Sequence, residues 1–291
     1  MDDAVYTPPA APMSLRLTPT IDDVEVLQLF LEERYKSPFE YDDDLGPNTY
    51  RRMDPYTHIY EFNTERPYLI KFSSDPIHKA LITHEWNMYE QLYTFDTQSY
   101  FLNGVEGGEF KGCAYTILPF IEAISLEEAV KDLSNTKLSA ILNTVAEALL
   151  YLLSKDICHG DMHSGNILLT ADGVKIIDFD KAGPCDGQMN VGYRSFNGRN
   201  AARKDLNFIG VPYNTHTGFF VMVKDIFIKK RISTQRIDEI IQNYMKSKHT
   251  KEDIEAAYSS VKGVLANLQK GGRRTRARTR RILKRRVTSS K

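Results

Sequence analysis

The sequence predicts an α+β protein of two lobes, in which a small antiparallel-sheet lobe with one helix precedes a larger, mainly helical lobe. Two short apolar runs, residues 57–62 and 67–72, have the composition of paired strands. A long helical pattern over residues 138–153 then leads into a polar loop and a short hairpin. With 291 residues, of which 42% are hydrophobic, the chain is long enough to bury one larger core or two smaller ones.

The N-terminal region combines a proline-rich segment with an amphipathic helix. Residues 1–19 contain four prolines among small residues, and we expect a disordered leader there. Apolar residues then recur at helical spacing over residues 21–35, which predicts a helix. We therefore assign residues 1–19 to the leader, 20–120 to this helix and the small lobe, and 121–270 to the large lobe.

A buried ion pair is predicted within the small lobe. Lys71 is a charge within a strand-like run, and Asp75 followed by proline is a good helix start. Glu85 falls on the apolar stripe of that helix, because five positions lie within about 80° of arc. A buried carboxylate needs a partner, as does a buried ammonium group, so we expect Lys71 to pair with Glu85. The stripe positions are Ile77, Leu81, Glu85, Met88 and Leu92.

The segment that joins the two lobes is strand-like and then helical. Residues 112–120 form a strand-like run, and the glycine cluster before it predicts a hairpin turn. Ser125 and Glu128 have the spacing of a capping box, which indicates the start of a short helix. The glycines of the cluster are Gly104, Gly107 and Gly108.

The most informative stretch of the chain is a polar loop followed by a hairpin. Residues 158–166 run Cys-His-Gly-Asp-Met-His-Ser-Gly-Asn, and the two strands that follow are joined by a turn that contains Asp-Gly. Pairing across a three-residue turn at 171–173 would place Asn166 opposite Asp178, with Asp161 on the preceding loop. Such oxygen ligands suit Mg²⁺, which shares its coordination with substrate phosphates. We therefore predict a phosphoryl-transfer site at the open end of the hairpin.

This stretch resembles the catalytic loop and metal-binding motif of the protein-kinase-like superfamily, in which H-x-D-x-x-x-x-N is followed by a hairpin and D-F-G. The last motif is Asp-Phe-Asp at residues 178–180. The resemblance implies an ATP- and Mg²⁺-dependent protein Ser/Thr kinase, with Asp161 as catalytic base and Asn166 and Asp178 as metal ligands. His163 stands where many protein kinases have a lysine. It is expected to contact the γ-phosphate or the base, or to order the loop through a hydrogen bond.

The same resemblance assigns the nucleotide site. Lys71 and Glu85 match the strand lysine and helix glutamate that position the α- and β-phosphates of ATP. The run from Leu118 to Phe120 resembles the hinge that contacts adenine through its backbone, so both residues are expected at the cofactor. Residues 205–210 resemble the start of a large-lobe helix whose aspartate braces the catalytic loop.

Two departures from the kinase pattern leave other functions open. Before Lys71 the available glycine is Gly46, and there is no glycine-rich phosphate loop. Either Arg51 or Arg52 therefore helps to hold the phosphates, or nucleotide binding is weak. Gly160 replaces an arginine that pairs with the phosphorylated activation loop in many protein kinases, and kinases of the aminoglycoside and choline type also have glycine there. A small-molecule kinase is one alternative, and a catalytically weak docking protein that acts through its basic tail is another.

Basic residues are concentrated at the C-terminus. Residues 271–291 hold ten Lys and Arg residues and no acidic residue, which leaves 28 basic against 38 acidic side chains elsewhere. This composition predicts a disordered tail that binds nucleic acid, an anionic membrane surface or an acidic partner, acts as a nuclear-localisation signal, or folds back on the acidic body. Its Gly-Gly start resembles tails of large DNA virus proteins, which implies a viral protein in the host cytoplasm or nucleus, or in the virion.

Cysteine content and hydropathy argue against several other classes. Cys113, Cys158 and Cys185 are few and odd in number, so we expect no disulfide framework, and we expect Cys158 to be a small buried apolar side chain. His159 and His163 have the spacing of zinc ligands but lack the accompanying glutamate, so neither is expected to bind zinc. No apolar run approaches a membrane span and the N-terminus is acidic, which predicts a cytosolic protein.

Overall fold

The computed structural model describes residues 21–44, 46–53, 56–63, 67–102, 104–185 and 215–268. The predicted leader at 1–19, the predicted basic tail at 271–291 and the helix start at 205–210 lie outside these residues. The described residues form the two predicted lobes, a small lobe built on a sheet and a mainly helical lobe.

The small lobe is built on a six-stranded sheet. Its order is β1-β2-β3-β4-β6-β5, and all neighbouring strands are antiparallel except the short β1–β2 pair. The predicted strand pair is present, and it sets Thr57 opposite Lys71. The strands are β1 (Glu40–Tyr41), β2 (Thr49–Arg52), β3 (Thr57–Glu61), β4 (Tyr68–Ser73), β5 (Glu106–Phe110) and β6 (Cys113–Pro119).

The first helix, α1 (Ile21–Tyr35), packs on this sheet as the N-terminal periodicity predicts. Leu27, Phe30 and Leu31 are buried in a separate small-lobe core together with aromatic residues of the sheet. The Phe30 ring lies 4.6 Å from the ring of Tyr115 on β6. Burial of these apolar side chains is what holds α1 to the lobe.

The second helix, α2 (Pro76–Tyr93), carries the buried glutamate. The carboxylate of Asp75 caps it by accepting hydrogen bonds from the backbone N–H groups of Ile77 and His78, as predicted. Glu85 is fully buried, with Met88 and Leu92 on the same face. The stripe is wrong at its first position, because Ile77 is 57% exposed.

The predicted glycine turn is also wrong. Gly107 and Gly108 lie within β5, and the turn to β6 is made by Lys111 and Gly112, with φ of +47° and +88°. The reason is side-chain packing, since the indole of Trp86 on α2 lies against the backbone of Gly107. A Cβ at that position would be 2.3 Å from the indole ring. Glycine there provides room for tryptophan.

The large lobe is mainly helical. Its helices are α3 (Leu126–Ala129), α4 (Asn135–Ser154), α5 (Thr215–Lys229), α6 (Gln235–Lys246) and α7 (251–268). Its strands are β7 (Ile124–Ser125), β8 (Ile157–Cys158), β9 (Ile167–Thr170), β10 (Gly173–Ile176) and β11 (Gly183–Pro184). The capping box predicted at Ser125 and Glu128 is present, with both reciprocal hydrogen bonds formed.

Helix α4 is the central element of the large-lobe core, and the catalytic loop follows it along the chain. Leu142, Val145 and Leu149 are fully buried in a cluster that also contains Phe219 and Tyr258. By length and composition α4 is able to cross a membrane, yet half of its apolar stretch is buried inside the protein. A core helix meets the same criteria, so this is weak evidence for a membrane span.

The hairpin of β9 and β10 has a different register from the one predicted. Thr170 pairs with Gly173 rather than with Val174, because the turn has two residues and not three. The Thr170 hydroxyl accepts a hydrogen bond from Asp172 N and donates one to Gly173 O, which stabilises the tighter turn. The backbone N–H of Ile177 consequently binds Asn166 O at 3.1 Å, and Asp178 lies one residue further along.

Candidate active site

The loop after β8 is tied to the segment after the hairpin by a buried histidine. His159 Nε2 donates to Ile177 O at 2.9 Å, while its Nδ1 accepts from Asp161 N at 3.3 Å. Burial lowers the pKa of His159, so the imidazole is neutral, which suits one donor and one acceptor nitrogen. His159 therefore fixes the position of the loop by hydrogen bonds at both ring nitrogens.

The candidate base, Asp161, lies on this loop with its side chain 24% exposed. Its carboxylate forms an ion pair with the ammonium group of Lys181. Its backbone oxygen accepts a hydrogen bond from Asn166 Nδ2 at 2.9 Å. The carboxylate is thus accessible to an acceptor group and is held beside a positive charge.

The predicted pair of Lys71 and Glu85 is confirmed. Lys71 Nζ lies 2.9 Å and 2.8 Å from the two carboxylate oxygens of Glu85 and 3.0 Å from Asp178 Oδ1. Tyr89 OH donates to Glu85 Oε1 at 3.1 Å. Burial alone would lower the pKa of Lys71, but the charges of Glu85 and Asp178 outweigh it and raise that pKa. Lys71 is therefore charged, and it links the small lobe to the hairpin end.

The residues at the hairpin end fit a magnesium ion. Burial would raise the pKa of Asp178, but the adjacent Lys71 charge lowers it overall, so the carboxylate is ionised. Asn166 is 6% exposed and offers an amide oxygen. Asp180 Oδ1 is buried and has no hydrogen-bond partner among the described residues. Burial, and then the charge of Asp178, raise the pKa of Asp180 to about 7. Hard oxygen donors of this kind are what Mg²⁺ requires.

His163 has the loop-ordering contact that was one of its predicted alternatives. Its Nδ1 accepts a hydrogen bond from Gly165 N at 3.0 Å and caps the short 3₁₀ turn Ser164–Asn166. This turn leads directly into β9 and so positions Asn166. A catalytic role for His163 stays a prediction.

The connection between the lobes has the position of a hinge. Leu118 is 4% exposed and lies within β6 opposite Leu69, so its side chain is part of the core. Phe120 is half-buried, and its backbone N–H donates to Pro67 O at 3.1 Å. Residues 121–123, which belong to no helix or strand, follow before β7. Adenine binding by Leu118 and Phe120 stays a prediction, with the backbone of 121–123 as the adjacent polar surface.

The phosphate-loop position is occupied by the β2–β3 connection. Thr57, directly after that connection, pairs with Lys71, so the loop neighbours Lys71 in the sheet. Gly46 lies before β2 and is not part of it. Arg51 donates to Asp43 O at 3.2 Å, and Arg52 is exposed at the end of β2. The sequence of this connection, residues 53–56, contains no glycine.

Lys181 is a site residue that the sequence did not reveal. It enters the site because the chain after Asp178 passes directly over the catalytic loop. Gly160 has φ of +81°, and a Cβ there would lie 2.0 Å from Lys181 O, so only glycine allows this approach. In the sequence, Gly160 in place of the arginine of many protein kinases is the signal of this close approach.

The expectation that the cysteines form no disulfide is wrong. Cys158 and Cys185 are joined, with their Cα atoms 5.1 Å apart, whereas Cys113 is free and buried. The two are 27 positions apart, and antiparallel pairing of β8 with β11 brings them together. The number of cysteines in a sequence does not reveal such a pair, because tertiary contacts decide which cysteines meet.

Comparisons with known proteins agree with this architecture. The protein kinase domain family matches residues 82–200. Serine/threonine-protein kinase 10 of Danio rerio is 37% identical over 94 residues, and serine/threonine-protein kinase 10-A of Xenopus laevis is 35% identical over 94 residues. Each match covers 32% of this chain and 8% of the relative, so the similarity spans a small part of those proteins. Together with the two-lobed α+β fold, these matches support a relationship between this chain and the protein-kinase-like superfamily.

Proposed function

We propose that the protein is an ATP- and Mg²⁺-dependent phosphotransferase that transfers the γ-phosphate to a Ser or Thr hydroxyl of a protein. The observation that carries the proposal is the position of Lys71, which contacts both Glu85 and Asp178. A phosphate-binding cation and a metal-binding carboxylate are thereby held together, which is the arrangement that phosphoryl transfer needs. The names of the similar proteins favour a Ser/Thr acceptor.

Each residue has a defined task in this proposal. Asp161 accepts the proton of the acceptor hydroxyl, and general-base catalysis of this kind contributes a factor of about 10² to 10⁴. Asn166 and Asp178 would hold Mg²⁺, with Asp180 as a further carboxylate on the same segment. When bound, Mg²⁺ supplies positive charge that offsets the charge of the phosphates.

Lys181 provides a cation beside the base. Its ammonium group contacts Asp161, and it is 25% exposed, so it is able to reach a phosphate group in the site. His163 is engaged with the loop backbone through Nδ1. We therefore assign to Lys181 the binding of the transferring phosphoryl group, a task that the sequence suggested for His163.

Transfer of label from γ-labelled ATP tests the proposal. The purified chain with Mg²⁺ is expected to label protein acceptors, and Asp161→Asn is expected to reduce the rate about 10³-fold, because the base is lost. Asp156→Asn is the matched control, since Asp156 is exposed in the turn before β8 with φ of +58°, a conformation that asparagine tolerates.

Two results would contradict this function. Labelling of aminoglycosides, choline or sugars but of no protein would indicate the small-molecule alternative. Gly160 no longer favours that alternative by itself, because the packing of Lys181 accounts for it. No transfer and no thermal stabilisation by Mg-ATP would indicate the docking-protein alternative.

A further inference from the structure

The disulfide brackets the candidate site. Cys158 lies at the start of the catalytic loop and Cys185 follows Asp178, so Asp161, Asn166 and Asp178 all lie within the covalent ring. We propose that Cys158 and Cys185 are a thiol–disulfide exchange site, whose reversible oxidation by a low-molecular-weight disulfide fastens the segment after Asp178 to the catalytic loop.

Apart from the disulfide, few backbone contacts hold strands β8 and β11 together. Strands β8 and β11 pair over two residues each, Cys158 with Gly183 and Ile157 with Pro184. Pro184 has no N–H group and donates no ladder hydrogen bond. A two-residue ladder is weak in water. The Cα separation of 5.1 Å falls in the range that a disulfide spans without backbone movement, so the bond is the main link between the two strands.

The two sulfurs differ in access, which assigns their chemical roles. Cys158 is 5% exposed, whereas Cys185 is partly exposed. His216 Nε2 lies 3.5 Å from Cys158 Sγ, and its Nδ1 lies 3.1 Å from Tyr258 OH. A dissolved reagent therefore reaches Cys185 first. Cys158 is the resolving thiol, and His216 is positioned as its hydrogen-bond partner.

The exchange balances with oxidised glutathione as the oxidant. The Cys185 thiolate attacks the glutathione disulfide, forming a mixed disulfide and releasing one glutathione thiolate. The Cys158 thiolate then attacks Cys185 Sγ and displaces the second glutathione. The two cysteines lose two electrons and two protons in total, and one glutathione disulfide becomes two glutathione thiols. Reduction is the reverse.

The proposed consequence for activity rests on the proposed function. Lys181 lies four residues before Cys185 and forms the ion pair with Asp161. Release of Cys185 removes one attachment of the segment that carries Lys181, which His84 Nε2 also contacts at Ala182 O over 2.7 Å. The reduced protein is therefore expected to turn over ATP more slowly but not to lose turnover. The reduced protein is also expected to unfold roughly 10 °C lower, from the loop entropy that a crosslink of this span removes.

The test uses the full chain equilibrated at a series of reduced-to-oxidised glutathione ratios, quenched with acid and alkylated with N-ethylmaleimide. Mass spectrometry is expected to show two thiols gained in one transition, with Cys158- and Cys185-containing peptides linked on the oxidised side. Cys113→Ala is the matched control and should retain the transition. Cys185→Ser should remove both it and the thermal shift. This variant changes the more exposed cysteine, so it is expected to fold.

Three results would overturn the inference. One is alkylation of both cysteines at every ratio. Another is stoichiometric Zn²⁺ binding by the reduced protein that blocks oxidation, which would make Cys158, Cys185 and His216 a metal site. The third is equal ATP turnover in the oxidised and reduced forms, which removes the coupling to activity. The thiol titration needs no activity, so absence of any turnover contradicts the proposed function and leaves this test intact.

Discussion

Two ion pairs lie at the centre of the site, and they are held in different ways. Lys71 and Glu85 come from β4 and α2, and Glu85 is fully buried with a further bond from Tyr89. Lys181 and Asp161 come from two loops, and both side chains are about one-quarter exposed. The first pair is positioned by regular elements and burial. The second pair depends on Gly160 and on the segment that the disulfide between Cys158 and Cys185 attaches to the loop.

The difference indicates how each pair responds to change. A buried carboxylate that loses its partner is left with the full cost of its desolvation, so the small-lobe pair is coupled to stability. A partly exposed pair is compensated by water, so the loop pair contributes little to stability. We therefore expect loss of the Lys71–Glu85 pair to lower the unfolding free energy strongly. Loss of the Lys181–Asp161 pair is expected to slow phosphoryl transfer instead.

The largest effect is expected for Lys71→Met. Glu85 is left buried without its cation, which costs about 3 to 5 kcal/mol of unfolding free energy, and ATP turnover is lost. The double variant Lys71→Met/Glu85→Leu should recover most of the stability but none of the turnover. Urea denaturation and labelled-ATP transfer measure the two effects. Equal stability of the single and double variants would show that Glu85 is not an uncompensated charge.

A smaller effect is expected for Gly160→Ala, which tests the loop-held pair directly. The new Cβ meets Lys181 O at 2.0 Å in a left-handed backbone, so we expect a loss of about 3 kcal/mol and of most turnover. Gly112→Ala is the matched control, because Gly112 also has positive φ but no atom within 4 Å of the added Cβ. It should cost about 1 kcal/mol, the conformational part alone, and spare turnover. Equal losses in both variants would show that Gly160 does not determine the position of Lys181.

Lys181→Met is expected to change chemistry and leave stability almost unaltered. We expect kcat to fall roughly 30- to 100-fold, because the charge beside the transferring phosphoryl group is lost. Unfolding free energy should change by less than about 1 kcal/mol, since the pair is partly exposed. Binding of a non-hydrolysable ATP analogue should weaken while binding of ADP does not. Equal weakening of both nucleotides, measured by calorimetry, would place Lys181 away from the γ-phosphate.

Acidification is expected to lower the unfolding free energy of the protein through protonation of His216. Burial, and then the charge of His249, lower the pKa of His216 to about 4, below its ordinary value near 6.5. The unfolded chain therefore binds the proton more readily, so stability falls as pH drops from 6.5 towards 4. Between pH 6.5 and 5 this amounts to about 1.5 kcal/mol. Urea denaturation of the wild type and His216→Gln at both pH values checks it. An unchanged pH slope in the variant would assign the loss to other groups.

Part of the site followed from local pattern. The spacing of Glu85 matches an apolar stripe, which predicts that it is buried, and the need for a partner follows from the cost of an unpaired buried charge. The polar loop and the hairpin were likewise local features. The register of that hairpin was not, because one hydrogen-bonding threonine and a two-residue turn shifted it by one position.

The two-lobed α+β class followed from the resemblance of the loop and hairpin motifs to the kinase pattern. The sequence by itself determined the helix α1, the capped starts of α2 and α3, and the buried pair of Lys71 and Glu85. These depend on periodicity, capping and burial within a few turns of chain. Tertiary structure alone decided the disulfide, the contact of Lys181 with Asp161 and the packing of Trp86 on Gly107. Each of these joins segments with no shared periodicity, so only the path of the folded backbone brings their atoms together.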